Sequence, residues 1–108
     1  WASWCGPCRL EIPMLKKAYD NYGENIQFIS VSTDDDKSSW KNALLKEKMP
    51  WKQFLIHRND PSFTDLQILL KFNTAIPYTV LVDNNLKILG SSTGLSSEQD
   101  LNELIKKE

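Results

Sequence analysis

Both cysteines of the chain fall inside Trp1-Ala-Ser-Trp-Cys-Gly-Pro-Cys-Arg, and this single Cys5-x-x-Cys8 pair constrains the fold more than any other feature. With no further cysteine, a small scaffold stapled by several bridges is excluded, so stability must come from an apolar core. A chain of 108 residues with 41% hydrophobic content can bury one such core, and it reads as a single domain over residues 1–108. The formal net charge is -1 and no basic block stands out, so nucleic acid is not an expected partner. The longest near-continuous apolar stretch, residues 75–82, is broken by Pro77 and Thr79. It is far shorter than the roughly 18 residues of a bilayer span, so no membrane-spanning segment is expected. Because the chain opens at Trp1 without an initiator Met, it is expected to be a piece whose targeting segment, if it has one, lies upstream.

Hydrophobic spacing orders the rest. Leu10, Met14, Leu15, Ala18, Tyr19 and Tyr22 recur every three or four positions and predict a helix over 7–22, ended by Gly23 and kinked at Pro13. Residues 26–32 predict a strand covered on both faces and paired in parallel. Asp34, Asp35 and Asp36 precede Ser38, Trp40, Ala43, Leu44 and Leu45, so they read as the cap of a second helix ending near Met49-Pro50. A calcium loop would need Gly where Ser39 stands and Glu where Leu45 stands. A short strand over 51–56, a loop over 57–62 holding His57, and a third helix over 64–72 follow. Residues 78–83 and 86–89 flank Asn84-Asn85, predicting an antiparallel hairpin with positive φ at the asparagines. Ser96 with Gln99 forms a capping-box pattern ahead of a last helix bearing Leu101, Leu104 and Ile105. Trp40, Trp51 and Phe54 read as core.

A Cys-x-x-Cys in a first helical turn brings its sulfurs almost to bonding distance. The unpaired first-turn N–H groups and the positive end of the helix dipole then favour the thiolate of Cys5. Cys5 reads as the nucleophile, and Cys8, deeper and less exposed, as the thiol that resolves a mixed disulfide. Gly6 places no side chain over the sulfur, and Pro7 supplies a pre-set φ where an N–H would be unpaired anyway. A zinc site would need four ligands and His57 is the one other soft candidate, so no metal is expected. A purely structural bridge over so short a loop would constrain little of the unfolded chain. The sulfurs themselves carry the electrons, so no cofactor is implied.

Trp4-Cys5-Gly6-Pro7-Cys8 resembles the thioredoxin active site. The longer run from Trp1 through Arg9, Glu11 and Pro13 is similar to the TlpA/ResA-like branch of the thiol–disulfide oxidoreductases in that superfamily. The resemblance implies an α/β, thioredoxin-like fold. Sixty-nine positions separate Cys8 from Pro77, more than in thioredoxin, and the excess resembles the strand and helix that TlpA-like proteins insert centrally. Ile76-Pro77 matches the superfamily's cis-proline, which implies a cis bond and a substrate groove at Ile76 and Pro77. Tyr78 either shapes that groove or is a plain strand aromatic. Glu11 matches a glutamate that tunes proton chemistry beside the cysteines, the alternative being a solvated first-turn glutamate. Trp4 is implied as a lid beside the sulfurs, the alternative being core packing.

The family also has a buried central strand leading into the Trp-Cys motif. This chain supplies only its last residues, so the fold is expected to be truncated at the N-terminus, with most of the first core strand missing. The activity implied is reduction of protein disulfides through a redox-active Cys5–Cys8 disulfide. Its partners would be protein disulfide substrates and an upstream dithiol electron donor, and its place the bacterial cell envelope or periplasm. Two rival readings are a thiol peroxidase and a non-catalytic binding module. The first would need a Thr or Ser hydroxyl three residues before the nucleophile, where Ala2 stands.

Overall fold

Helix α1, Gly6–Tyr22, begins directly at the cysteine pair and continues through Pro13, in a computed structural model that describes residues 1–108. Strand β1 (Ile29–Ser32) follows, then α2 (Lys37–Glu47), β2 (Lys52–Leu55), α3 (Pro61–Leu70), β3 (Tyr78–Val82), β4 (Ile88–Thr93) and α4 (Glu98–Ile105). The helix starts follow local side-chain chemistry. Asp36 and Asp60 cap α2 and α3 by accepting from the N–H groups of Ser38 and Ser62, and Pro61 fills the first helical position, where no donor is missed. Residues 61 and 62 therefore belong to α3 and not to the expected loop. The cap of α4 is Ser97, one residue beyond the expected Ser96, and its hydroxyl accepts from the Asp100 N–H. Asp100 returns the bond by accepting from the Ser96 N–H, so an aspartate takes the part assigned to Gln99.

The strands form two separate pairs. β1 lies parallel to β2, with Ile29 opposite Lys52 and Val31 opposite Phe54. β3 and β4 are antiparallel, with Tyr78 opposite Thr93 and a bulge between Leu81 and Val82. Beside β1, the Trp1 amine donates to Val31 O at 3.1 Å and the Thr33 N–H to Trp1 O at 2.9 Å, so Trp1 sits as one parallel rung next to Ser32.

Three expectations about the strands need correction. β1 is shorter than 26–32, and Ile29 is half exposed, so that pair is not covered on both faces. β4 runs from Ile88 to Thr93 instead of 86–89, because Gly90 and the small polar residues after it extend the ladder. Positive φ falls on Leu86, not on Asn84 or Asn85, since the Asp83 carboxylate accepts from the N–H groups of Asn85 and Lys87 and closes a longer turn.

The main core gathers Ala18 of α1, Leu101 and Ile105 of α4, and Leu95, with Met14, Leu15, Tyr22, Ile26 and Phe28 packed against them. Tyr19, Phe28 and Trp51 meet at ring-centroid distances of 5.3–5.5 Å, and the Trp51 indole donates to Ser30 Oγ. Trp51 is buried as expected and Trp40 is partly buried, but Phe54 is half exposed on β2, whose outer edge has no neighbouring strand. Helix α4 lies close over β4 at Gly90, where an added Cβ would come within 2.9 Å of the Leu104 side chain. This packing holds α1, α4 and the loop at Leu95 together, and α1 carries the cysteines at its free end.

Candidate active site

Residues Ala2 to Cys5 make a tight turn in which the Cys5 N–H donates to Ala2 O at 3.0 Å. The turn delivers Cys5 to the N-cap of α1 in extended conformation, and there its Sγ accepts the backbone N–H of Cys8 at 3.2 Å. Pro7 lies in the first turn, so one of the four unpaired N-terminal donors is absent by chemistry and another is taken by sulfur. Cys5 and Cys8 are joined in a disulfide with their Cα atoms 5.3 Å apart. The expected difference in exposure is not found: Cys5 is 5% exposed and Cys8 4%. The two sulfurs differ instead in position, since only Cys5 occupies the cap and receives a first-turn N–H.

The pair sits in a small apolar nest of Ala2, Cys5 and Cys8, against which Trp1 and Ile76 pack. The Ile76–Pro77 peptide bond is cis. Ile76, which precedes Pro77, is thus brought to the cysteines across the whole interval between α1 and β3. Tyr78 turns elsewhere: its hydroxyl donates to Leu70 O at 2.7 Å and its ring stacks on Phe72, so it ties α3 to β3. Trp4 is 64% exposed, which rules out its core reading. Gly6 is exposed too, and a side chain there would meet nothing. His57 is exposed in the loop after β2.

Glu11, one turn beyond Cys8, is buried, so it is not a solvated first-turn glutamate. Its Oε2 accepts from the Leu95 N–H at 2.9 Å. Burial pushes its carboxyl above the ordinary value, while the Leu95 bond and the nearby amine of Trp1 pull it the other way. A carboxylate whose charge is disfavoured in this way is a better proton acceptor than an exposed one.

Two residues that bind the active-site turn were not singled out for it in the sequence. The Asp34 carboxylate, read there as part of a helix cap, is 1% exposed and accepts from Ser3 N–H, Ser3 Oγ and Ser32 Oγ. The Arg9 guanidinium donates to Ser3 O at 3.2 Å and pairs with Glu47 at 3.1 Å, linking the turn to the end of α2. No spacing rule links Ser3 to Asp34 across 31 positions. The only available signal was an aspartate two residues after a serine at a strand end.

A family profile described as thioredoxin-like matches residues 1–88. The thiol-disulfide oxidoreductase ResA of Geobacillus kaustophilus is 25% identical over 103 residues, which are 94% of this chain and 55% of that protein. The thioredoxin of Mycoplasma genitalium is 49% identical over 35 residues, 32% of this chain and 33% of its own. The chain therefore spans between a third and about half of the length of these relatives. Among solved structures, the thioredoxin domain of a thiol-disulfide oxidoreductase from Bacteroides vulgatus superposes with a TM-score of 0.81 at 29% identity, over 99% of this chain and 73% of that one. A second thiol-disulfide oxidoreductase from the same organism gives 0.70 at 34% identity, over 98% and 66%.

Proposed function

The chain belongs to the thioredoxin-like family, and on that premise we propose that it is a thiol–disulfide oxidoreductase that reduces protein disulfides through Cys5 and Cys8. The observation that carries this reading is the Cys8 N–H donated to Cys5 Sγ at the cap of α1. A donor aimed at a sulfur, at the positive end of a helix, favours its thiolate.

In the reduced protein the Cys5 thiolate attacks one sulfur of a substrate disulfide. The Cys5–substrate bond forms, the substrate S–S bond breaks, and the first substrate thiolate leaves. Cys8 then loses its proton and attacks Cys5 Sγ, closing the Cys5–Cys8 bond and releasing the second substrate thiolate. Two electrons pass from the dithiol to the substrate, and both released thiolates take up protons. Glu11, buried one turn from Cys8, is the group that accepts the Cys8 proton, directly or through water. Ile76 and Pro77 line the place where the substrate chain lies, and the exposed Trp4 flanks it. An upstream dithiol donor returns the protein to the reduced form. Gly6-Pro7 between the cysteines, as in reducing thioredoxins, favours this direction.

We further read β2 with one of its adjoining helices as the central insertion of the TlpA/ResA-like branch, and the bacterial envelope or periplasm as the place of action. No helix is long and apolar enough to cross a membrane.

The test is turnover. Reduced protein should accelerate reduction of insulin disulfides by a small dithiol, and Cys5→Ser should bring the rate down to background. Undiminished turnover in that variant would refute the proposal.

A further inference from the structure

We propose that Asp34 is a positioning residue for Cys5, acting through Ser3; this rests on the thiol-exchange reading of the cysteine pair. Ser3 stands at the second position of the Ala2–Cys5 turn, and three of its polar groups are held from outside the turn. Its N–H reaches Asp34 Oδ2 at 2.9 Å and Oδ1 at 3.1 Å, its hydroxyl reaches Oδ1 at 2.6 Å, and its carbonyl accepts from Arg9. Asp34 is itself fixed: its other oxygen accepts from Ser32 Oγ at 2.5 Å, and its own N–H donates to the same hydroxyl at 2.9 Å. With Ser32 and Asp34 at 0% and 1% exposure, this anchor lies beyond the reach of solvent.

A carboxylate buried without a cation in its hydrogen-bond shell costs stability unless its lone pairs are satisfied. Here they are satisfied by Ser32 and by Ser3, the residue that sets the path of the chain into Cys5. Removing the anchor frees Ser3, loosens the Ala2–Cys5 bond and withdraws Cys5 Sγ from the Cys8 N–H. The charged groups around the turn are the Trp1 amine, Asp34 after β1, Glu11 and Arg9 on α1, and Glu47 on α2. Loss of a nearby negative charge alone would make Cys5 more acidic, whereas loss of positioning makes it less acidic, so the two effects have opposite signs.

The experiment measures the pH at which Cys5 alkylation by iodoacetamide is half-maximal in the reduced chain, for the parent, Asp34→Ala, Asp34→Asn and Ser3→Ala, with thermal melts of each. Asp34→Ala should raise the midpoint by about one pH unit and slow insulin reduction about tenfold. Ser3→Ala, which loses one of the bonds and removes no charge, should raise it by a smaller amount. Asp34→Asn, which retains an acceptor for the Ser3 N–H, should lie between the parent and Asp34→Ala. An unchanged or lowered midpoint in Ser3→Ala and Asp34→Asn, both folded by their melts, would overturn the inference, whatever the loss in melting temperature. A parent that fails to reduce insulin while its variants still show the ordered midpoints would count against the proposed activity and leave the role of Asp34 standing.

Discussion

Glu11 and Leu95 are joined by a hydrogen bond from the Leu95 backbone N–H to Glu11 Oε2 at 2.9 Å, across 84 positions of sequence. The contact fastens the first turns of α1, where the cysteines lie, to the loop leading into α4. It also leaves a carboxylate in a site that disfavours its charge.

Since burial raises the folded-state pKa of Glu11, the folded protein holds that proton more tightly than the unfolded chain does. Its contribution to stability is fully present below the ordinary glutamate value of about 4.3 and is lost as pH rises through the folded pKa. Glu11→Gln keeps an acceptor for Leu95 without the charge. Its melting temperature should exceed the parent's at neutral pH, with the gap closing as pH falls toward 4; a constant gap would contradict this. If Glu11 takes the Cys8 proton, the same variant also loses the acidic limb of the pH profile for mixed-disulfide resolution.

The caps of α2 and α3 give the opposite sign. Hydrogen bonds from Ser39 and Ser38 lower the pKa of Asp36, and those from Ser62 lower that of Asp60. Their contribution is present above the ordinary aspartate value and is lost as pH falls through the folded pKa. Asp36→Ala and Asp60→Ala should each melt below the parent at neutral pH and converge with it in strong acid. Melting curves across pH check both.

At Gly90 the C-terminal end of α4 and the residues after it approach β4 closely. A Cβ there meets the ends of Lys107 at 2.8 Å and Leu104 at 2.9 Å, and Leu104 is buried. Gly90→Val should therefore cost about 1–3 kcal/mol by forcing those side chains aside, with Gly90→Ala costing less. Denaturant unfolding measures it; equal stability of parent and valine variant would show that α4 yields freely.

The site was legible where chemistry is local. The Cys5–Cys8 spacing, Pro7 and the apolar stripe of α1 lie in one continuous segment, and their helical period placed both sulfurs on the first turn. That an aspartate of the 34–36 run caps α2 was equally plain, because a cap acts within three residues; the structure assigns the cap to Asp36. Pro77 came from family resemblance, since a cis bond is a minority state that no local pattern specifies. What could not be read were contacts made across the chain. Asp34 looked like its neighbours Asp35 and Asp36, yet it points inward to Ser3, and only its place two residues after Ser32 at the end of β1 marks the difference. The β3–β4 turn lies at Asn84-Asn85 as expected, but its positive φ falls on Leu86, because the Asp83 carboxylate holds the N–H groups of Asn85 and Lys87. Exposure of Ile29 and Phe54 follows from which sheet faces find cover, which hydrophobicity alone does not reveal.

The account turns on which sulfur meets the substrate. Reduced Cys8→Ser and Cys5→Ser variants, each mixed with a disulfide-bonded protein and analysed by mass spectrometry without reductant, answer this directly. Cys8→Ser should accumulate a covalent complex linked through Cys5, and Cys5→Ser should form almost none. A complex that accumulates through Cys8 in Cys5→Ser, or none in either variant, would contradict the account.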